Sequence, residues 1–214
     1  MRTLISLKVF SRLKHAYPFS AVLILAAASA LFLVSCAPPE IDTVTTFQAA
    51  TVEELNFART APAAYAEDRL LADYNGGTDN GAYLDMKSRQ AVPAVSLQNQ
   101  LTRAAMGYAE YLADNNVFGH EKNGTPVDRC EAEGYEYFSG ENLAAGNSLG
   151  MDGANNPDEA AIVFVRLLII DEGIPDVGHR ENIMLSVHRS VGIGYAKNFN
   201  SYYVNYTVQD FGSR

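Results

Sequence analysis

The 214-residue chain has no tryptophan and only two cysteines. Lacking Trp, it is without one common anchor for sugars and interfaces. Two cysteines cannot build a disulfide scaffold. Basic residues are scarce and unevenly placed. Residues 1–35 hold Arg2, Lys8, Arg12 and Lys14 and no acid, so residues 36–214 keep 12 basic residues against 25 acidic ones, a net of −13. A body this acidic has no surplus to neutralise phosphates, which argues against nucleic acid as a partner. It should also be repelled by anionic lipid headgroups. There is no His-Glu-x-x-His helix, no Gly-x-Ser-x-Gly elbow, no phosphate-binding glycine loop and no internal repeat. What is present is a globular composition, 48% hydrophobic and 19% charged. That is enough for a core, and the length fits one domain plus a leader.

The first 35 residues read as a removable leader. A basic segment to Lys14 precedes Phe19–Ser35, 17 residues without a charge. This is the pattern of a secretory signal, and it is short for a bilayer span. The segment ends Leu33-Val34-Ser35-Cys36, followed by Ala37-Pro38-Pro39. That ending resembles the lipobox of bacterial lipoproteins. The resemblance implies that Cys36 is diacylated, becomes the new N-terminus and anchors the chain to a membrane. The mature chain then retains a single thiol, Cys130, and no internal disulfide. Cys130 stands in Asp128-Arg129-Cys130-Glu131, beside acids that raise a thiol pKa, so it reads as a buried structural residue.

Beyond the anchor, residues 36–50 read as a tether and 51–214 as the folded domain. Thr51-Val52-Glu53-Glu54 has the form of a capping box opening a helix. Pro62 interrupts that helix, a second piece runs to Tyr74, and Asn75–Gly81 is loop. Ser96 is placed to cap a strongly amphipathic helix carrying Leu97, Leu101, Ala104, Ala105, Tyr108 and Leu112. A short strand is expected near Tyr135–Phe138. Asn156-Pro157 with Glu159 starts a helix that runs to about Ile170, where Gly173-Ile174-Pro175 stops it. Ser190–Ala196 and Tyr202–Phe211 read as strands of a hairpin. Helices first and strands late give an α+β fold.

Outside the leader there are three histidines. His120 and His179 each follow a glycine just beyond a helix, and Glu141 sits in Gly140-Glu141-Asn142. His188 has no acid beside it and reads as structural or surface. No activated nucleophile is visible.

Taken in order, the segments resemble a family. They are Leu55-Asn56-Phe57-Ala58-Arg59 with Pro62, then Gly119-His120 with Gly124-Thr125-Pro126 and Arg129. Gly140-Glu141-Asn142-Leu143-Ala144, Gly178-His179-Arg180-Glu181-Asn182 and Val191-Gly192-Ile193-Gly194-Tyr195 follow. The set is similar to the CAP superfamily (cysteine-rich secretory proteins, antigen 5, pathogenesis-related 1) in its cysteine-poor bacterial form, the SCP-domain proteins, over about residues 50–212. The resemblance implies an α-β-α sandwich with a small, mainly antiparallel sheet. It also implies a cavity of two His and two acids that can take zinc or another divalent metal. His120, Glu141 and His179 match three of the four. The fourth acid is normally on the helix before the second His. Here that helix reads Phe164-Val165-Arg166-Leu167-Leu168-Ile169-Ile170, with no acid at the expected place, and Asp171, in preference to Glu172, is the substitute. Arg180 and Asn182 read as structural, the Arg neutralising a buried Glu. The function implied is a membrane-anchored, exported module that binds a lipid, another amphiphile or an envelope component. Two alternatives stay open: a metal-assisted or His/Glu-dependent hydrolase, and a structural or adhesion domain.

Overall fold

The structure is a computed structural model, and it describes residues 43–147, 156–174 and 176–214. The leader, Cys36, Pro175 of the expected helix stop and residues 148–155 lie outside the described residues. The chain divides into two units, residues 1–39 and 40–214, and the second is the folded domain.

Helix α1 (Thr43–Thr60) is followed by α2 (Pro62–Tyr65), a π-helical stretch (Ala66–Leu70) and α3 (Leu71–Gly76). Then come α4 (Ala82–Ser88), β1 (Ser96–Leu97), α5 (Asn99–Asn115), α6 (Pro126–Ala132) and β2 (Phe138–Gly146). Last are α7 (Pro157–Ile170), α8 (Gly178–Ile183), β3 (Ser190–Lys197) and β4 (Asn205–Gly212). The sheet order is β1-β3-β4-β2. Only the short β1–β3 pair is parallel; β3–β4 and β4–β2 are antiparallel. This is the expected α+β sandwich with a small, mainly antiparallel sheet.

The layers follow from side-chain alternation along β3. Val191, Ile193 and Tyr195 face α1 and α7, where Phe47 lies 5.2 Å from the Tyr195 ring and 6.2 Å from Phe164. Gly192 and Gly194 face α5, and the helix backbone lies directly on them. Leu143, Val208 and Tyr206 complete that side against Ala105, Tyr108, Ala109 and Leu112. The described helices carry Asn156 as a cap accepting from the Glu159 amide with Pro157 in the first turn, as read from the sequence.

Several local expectations are corrected. The helix expected to open at Thr51 begins at Thr43, so residues 43–50 are helix and not tether. Thr51 is buried inside α1, and its hydroxyl donates back to the Phe47 carbonyl at 2.8 Å. A Ser/Thr hydroxyl can bond its own helix as readily as open one. Ser96 lies in β1, and Gln98 occupies the cap position of α5. The strand expected near Tyr135–Phe138 starts at Phe138 and runs through Glu141 to Gly146. Helix α4 (Ala82–Ser88) follows the expected loop directly, in a stretch to which the sequence reading assigns no element. The β3–β4 turn is longer than expected, because β4 begins at Asn205.

Candidate functional site

β2 is the edge strand of the sheet, and the site is built over it. Odd residues of β2 share a face with α5, because Glu141 pairs with Asp210 and Leu143 with Val208. Even residues share the face of α7 and α8. Each face brings one histidine and one acid to the edge.

On the α5 side, α6 is opened by Thr125, whose side chain accepts from the Asp128 amide in a full capping box. The helix carries Arg129 inward. Its Nη2 is 2.5 Å from Glu141 Oε2, and its Nη1 donates to the carbonyls of Gly124 and His120 at 2.8 and 3.0 Å. The guanidinium stacks on the Tyr108 ring, 3.4 Å from its centre. The other Glu141 oxygen lies 2.7 Å from His120 Nδ1. Glu141 is 2% exposed and His120 51%. A buried acid therefore holds a half-exposed imidazole, with Arg129 neutralising the acid. The sequence reading gave that neutralising role to Arg180. In the structure, Arg180 instead bonds Asp85 and the Asn80 carbonyl.

On the other side, α7 ends at Asp171, which adopts a left-handed conformation at φ 56°. The kink turns its buried carboxylate onto α8. Asp171 Oδ1 is 2.6 Å from His179 Nδ1, and Oδ2 accepts the His179 amide at 2.9 Å. Asp171, and not Glu172, is thus the acid brought to His179. A carboxylate oxygen only accepts, so each Nδ1 carries a proton, and in the neutral imidazole the lone pair is then on Nε2.

His120, Glu141 and His179 line one cleft of about 470 Å³, together with Gly140, Asn142, Ile174, Gly178 and Asn182. Beneath it runs a ladder of neutral polar groups. Asn142 donates to Gln209 at 3.1 Å, Asn182 donates to Asn142 at 2.9 Å, and His188 Nε2 lies 3.0 Å from Asn182 Oδ1. His188 Nδ1 lies 2.7 Å from the Ser139 hydroxyl. Gly140 leaves room for this ladder, since a Cβ there would stand 2.3 Å from Asn182 Oδ1. His188 is fully buried and stacks on Phe211 at 4.5 Å. Burial and the nearby Arg59 charge push its imidazole down to about 4, so it stays neutral at physiological pH. So weak a base is poorly suited to draw a proton from Ser139.

Asp210 was missed by the sequence reading. It is fully buried directly across from Glu141, and neither of its oxygens has a well-formed hydrogen bond. Burial and the Glu141 carboxylate beside it raise its pKa well above the ordinary carboxylate value. An acid in the middle of a buried strand was the available signal. Cys130 is buried next to it, and burial and Asp210 push the thiol up as well. A group whose folded pKa is raised adds stability at low pH that is lost as pH climbs past its unfolded value. Asp210→Asn keeps the neutral shape. It is expected to melt with the parent near pH 4 and above it at pH 8, by thermal unfolding across that range. Melting below the parent at pH 8 would show that the charged form of Asp210 is the stabilising one.

Among the described residues, no group of three or more His, Cys, Asp or Glu is arranged to hold a metal ion. Both acids are spent on orienting imidazoles. The donors left to an ion are the two Nε2 atoms, a sparse set for zinc.

The family model for the cysteine-rich secretory protein family, CAP, matches residues 52–211. The chain belongs to the CAP family. The CAP domain is also similar to solved structures. One is an extracellular protein containing an SCP domain from Bacillus anthracis, 17% identical with a TM-score of 0.46, over 83% of this chain. The chain spans 45% of that protein's length. Another is an outer surface protein from Borrelia burgdorferi, 21% identical with a TM-score of 0.43, over 67% of this chain and 94% of the other. No curated protein matches the chain.

Proposed function

We propose that this CAP domain is an exported module, held to a membrane by lipid on Cys36, whose edge-strand cleft binds a polar-headed amphiphile or envelope component. The observation that carries the reading is the paired construction of the cleft. Two imidazoles on opposite faces of the sheet are each fixed through Nδ1 by a buried carboxylate, and they share one open cavity of about 470 Å³. Such a cavity has the size of a small-molecule site, and its polar handles are preorganised. The His120 and His179 Nε2 atoms can take a hydrogen from a hydroxyl or headgroup donor. They can also hold a divalent ion weakly, with water completing the shell; the ion would then offer a positive point to an anionic headgroup. Catalysis is the weaker reading. Ser139, next to the cleft residue Gly140, is committed to a histidine of low basicity.

The chain from residue 37 onward, purified from a bacterial host, is the material for the test. Native mass spectrometry is expected to show bound amphiphile, reduced in His120→Ala/His179→Ala at unchanged far-UV dichroism. Zinc is expected to raise the melting temperature of the parent and not of the double variant. Peptide cleavage that disappears in the double variant would overturn the binding reading in favour of the hydrolase.

A further inference from the structure

From the placement of its aromatic residues, we propose that the tip of the β3–β4 hairpin, led by Phe199 and Tyr202, is seated in the interfacial layer of the membrane that holds the anchor. This inference rests on the anchoring reading above.

The first observation is exposure. Phe199 is 78% exposed and Tyr202 73%, the most exposed large apolar side chains among the described residues, and Phe118 beside them is 43% exposed. Phe118 packs edge-on against Tyr203, and Tyr203 meets both Tyr202 and Tyr206. The second is that the tip is built and not slack. Asn116 Oδ1 accepts both the Ser201 hydroxyl at 2.9 Å and the Tyr202 amide at 2.7 Å. Asn198 donates to the Ala113 carbonyl at 3.2 Å, and its amide closes on the Val204 carbonyl at 2.8 Å. The aromatics are therefore presented to the outside by a fixed loop.

The third observation is charge. From Asn198 to Gln209 there is no charged residue, in a body whose net charge is −13. An acid meets the hairpin at its base, where Asp114 accepts from Asn198 at 3.3 Å, so the tip itself is where this acidic surface can approach a bilayer with least repulsion. Phenyl and phenol side chains next to a lysine, Lys197 over Phe199 at 4.8 Å, suit the boundary between headgroups and acyl chains.

The fourth is where the anchor enters. Gln48 reaches the Ile193 carbonyl and Phe47 reaches Tyr195, while Arg59 reaches the His188 carbonyl. Helix α1 is thus antiparallel to β3, and its first residue, Thr43, lies toward the hairpin end of the sheet. From Cys36 to Thr43 the chain can reach at most about 25 Å. Lipid on Cys36 would keep the hairpin end close to the membrane surface.

The absence of Trp from the chain makes the test clean. The full-length protein, expressed with its own leader, is reconstituted into dioleoyl-phosphatidylcholine vesicles containing dibrominated phosphatidylcholine. Two single-Trp variants are compared. One is Phe199→Trp. The other is Leu84→Trp, on α4, which joins α8 at the far end through Asp85 and Arg180. The Phe199→Trp emission is expected to shift to the blue and lose most of its intensity to bromine, while Leu84→Trp keeps the emission of exposed indole. Vesicle-bound Phe199→Trp that is unquenched would overturn the proposal and leave the anchor standing. Protein that fails to float with the vesicles would overturn both. A blue shift in detergent that grows with protein concentration would overturn it in favour of a second copy covering the tip.

Discussion

Gly194→Ala is expected to destabilise the domain by about 3 kcal/mol or more, near the upper end of what overpacking costs. A Cβ at Gly194 would stand 2.1 Å from the Ala105 carbonyl oxygen and 2.3 Å from its carbon. At Gly192 it would stand 2.1 Å from the Leu101 carbonyl carbon and 2.3 Å from the Thr102 nitrogen. These are backbone atoms of a helix, which cannot rotate aside as a side chain can. The added methyl must lift α5 from β3 and open the layer lined by Tyr108, Leu112, Leu143 and Val208. For a domain of this size the loss corresponds to a drop of roughly 10 °C in melting temperature. Gly107 in the same helix supplies the control, because a Cβ there meets nothing within 4 Å. Gly107→Ala is expected to gain about 0.5–1 kcal/mol from helix propensity alone. Circular dichroism melts of the two variants should therefore move in opposite directions. A Gly194→Ala protein that melts with the parent would show that α5 is not seated as closely as these distances state.

The same two glycines show what could be read before the structure. Val191-Gly192-Ile193-Gly194-Tyr195 alternates large and absent side chains, which marks a strand and leaves one face bare. The bare face becomes meaningful only once α5 lies on it. Asn156-Pro157 announced α7 because its signal is local, a side chain bonding an amide three residues on. Thr51 misled because the same hydroxyl chemistry works inside a helix. Glu141 was found as a candidate, yet not as a strand residue. Its neighbours Gly140 and Asn142 disfavour a strand, and β2 is held by its pairing to β4. Asp171 lies eight residues from His179, a separation that brings the two together only because Asp171 turns left-handed. Arg129 could not be matched to Glu141 by spacing, since the pairing depends on the docking of α6 across α5 and β2.

Arg59 is where the second large effect is expected, and it ties the core to the site. It is fully buried, and its guanidinium donates to four carbonyls and no carboxylate. Nε and Nη2 both reach Pro93, at 2.9 and 2.7 Å; Nη1 reaches Ile183 and Leu185, and Nη2 also His188. One side chain thereby fastens α1 to the strand entry at β1, to the end of α8 and to the segment that carries His188. Burial and Arg189 lower its pKa to about 10, so it is charged at neutral pH. Arg59→Met fills a similar volume but takes the donor from the Pro93 and Ile183 carbonyls, while Leu185 keeps the His188 amide and His188 keeps Arg189. A buried acceptor left unpaired costs about 1–3 kcal/mol, so the loss, centred on Ile183 and the half-buried Pro93 carbonyl, is expected to reach about 3 kcal/mol. That is a large share of the stability of an ordinary domain. Arg59→Lys keeps the charge but not the planar fork, and it is expected to recover only a small part of the loss. Because α8 carries His179, its amides should lose protection together with those of residues 183–188. Hydrogen exchange followed by mass spectrometry is the measurement. Loss of protection spread evenly over the domain, with α8 no more affected than α5, would show that Arg59 supports the fold in general and does not specifically hold the helix that carries His179.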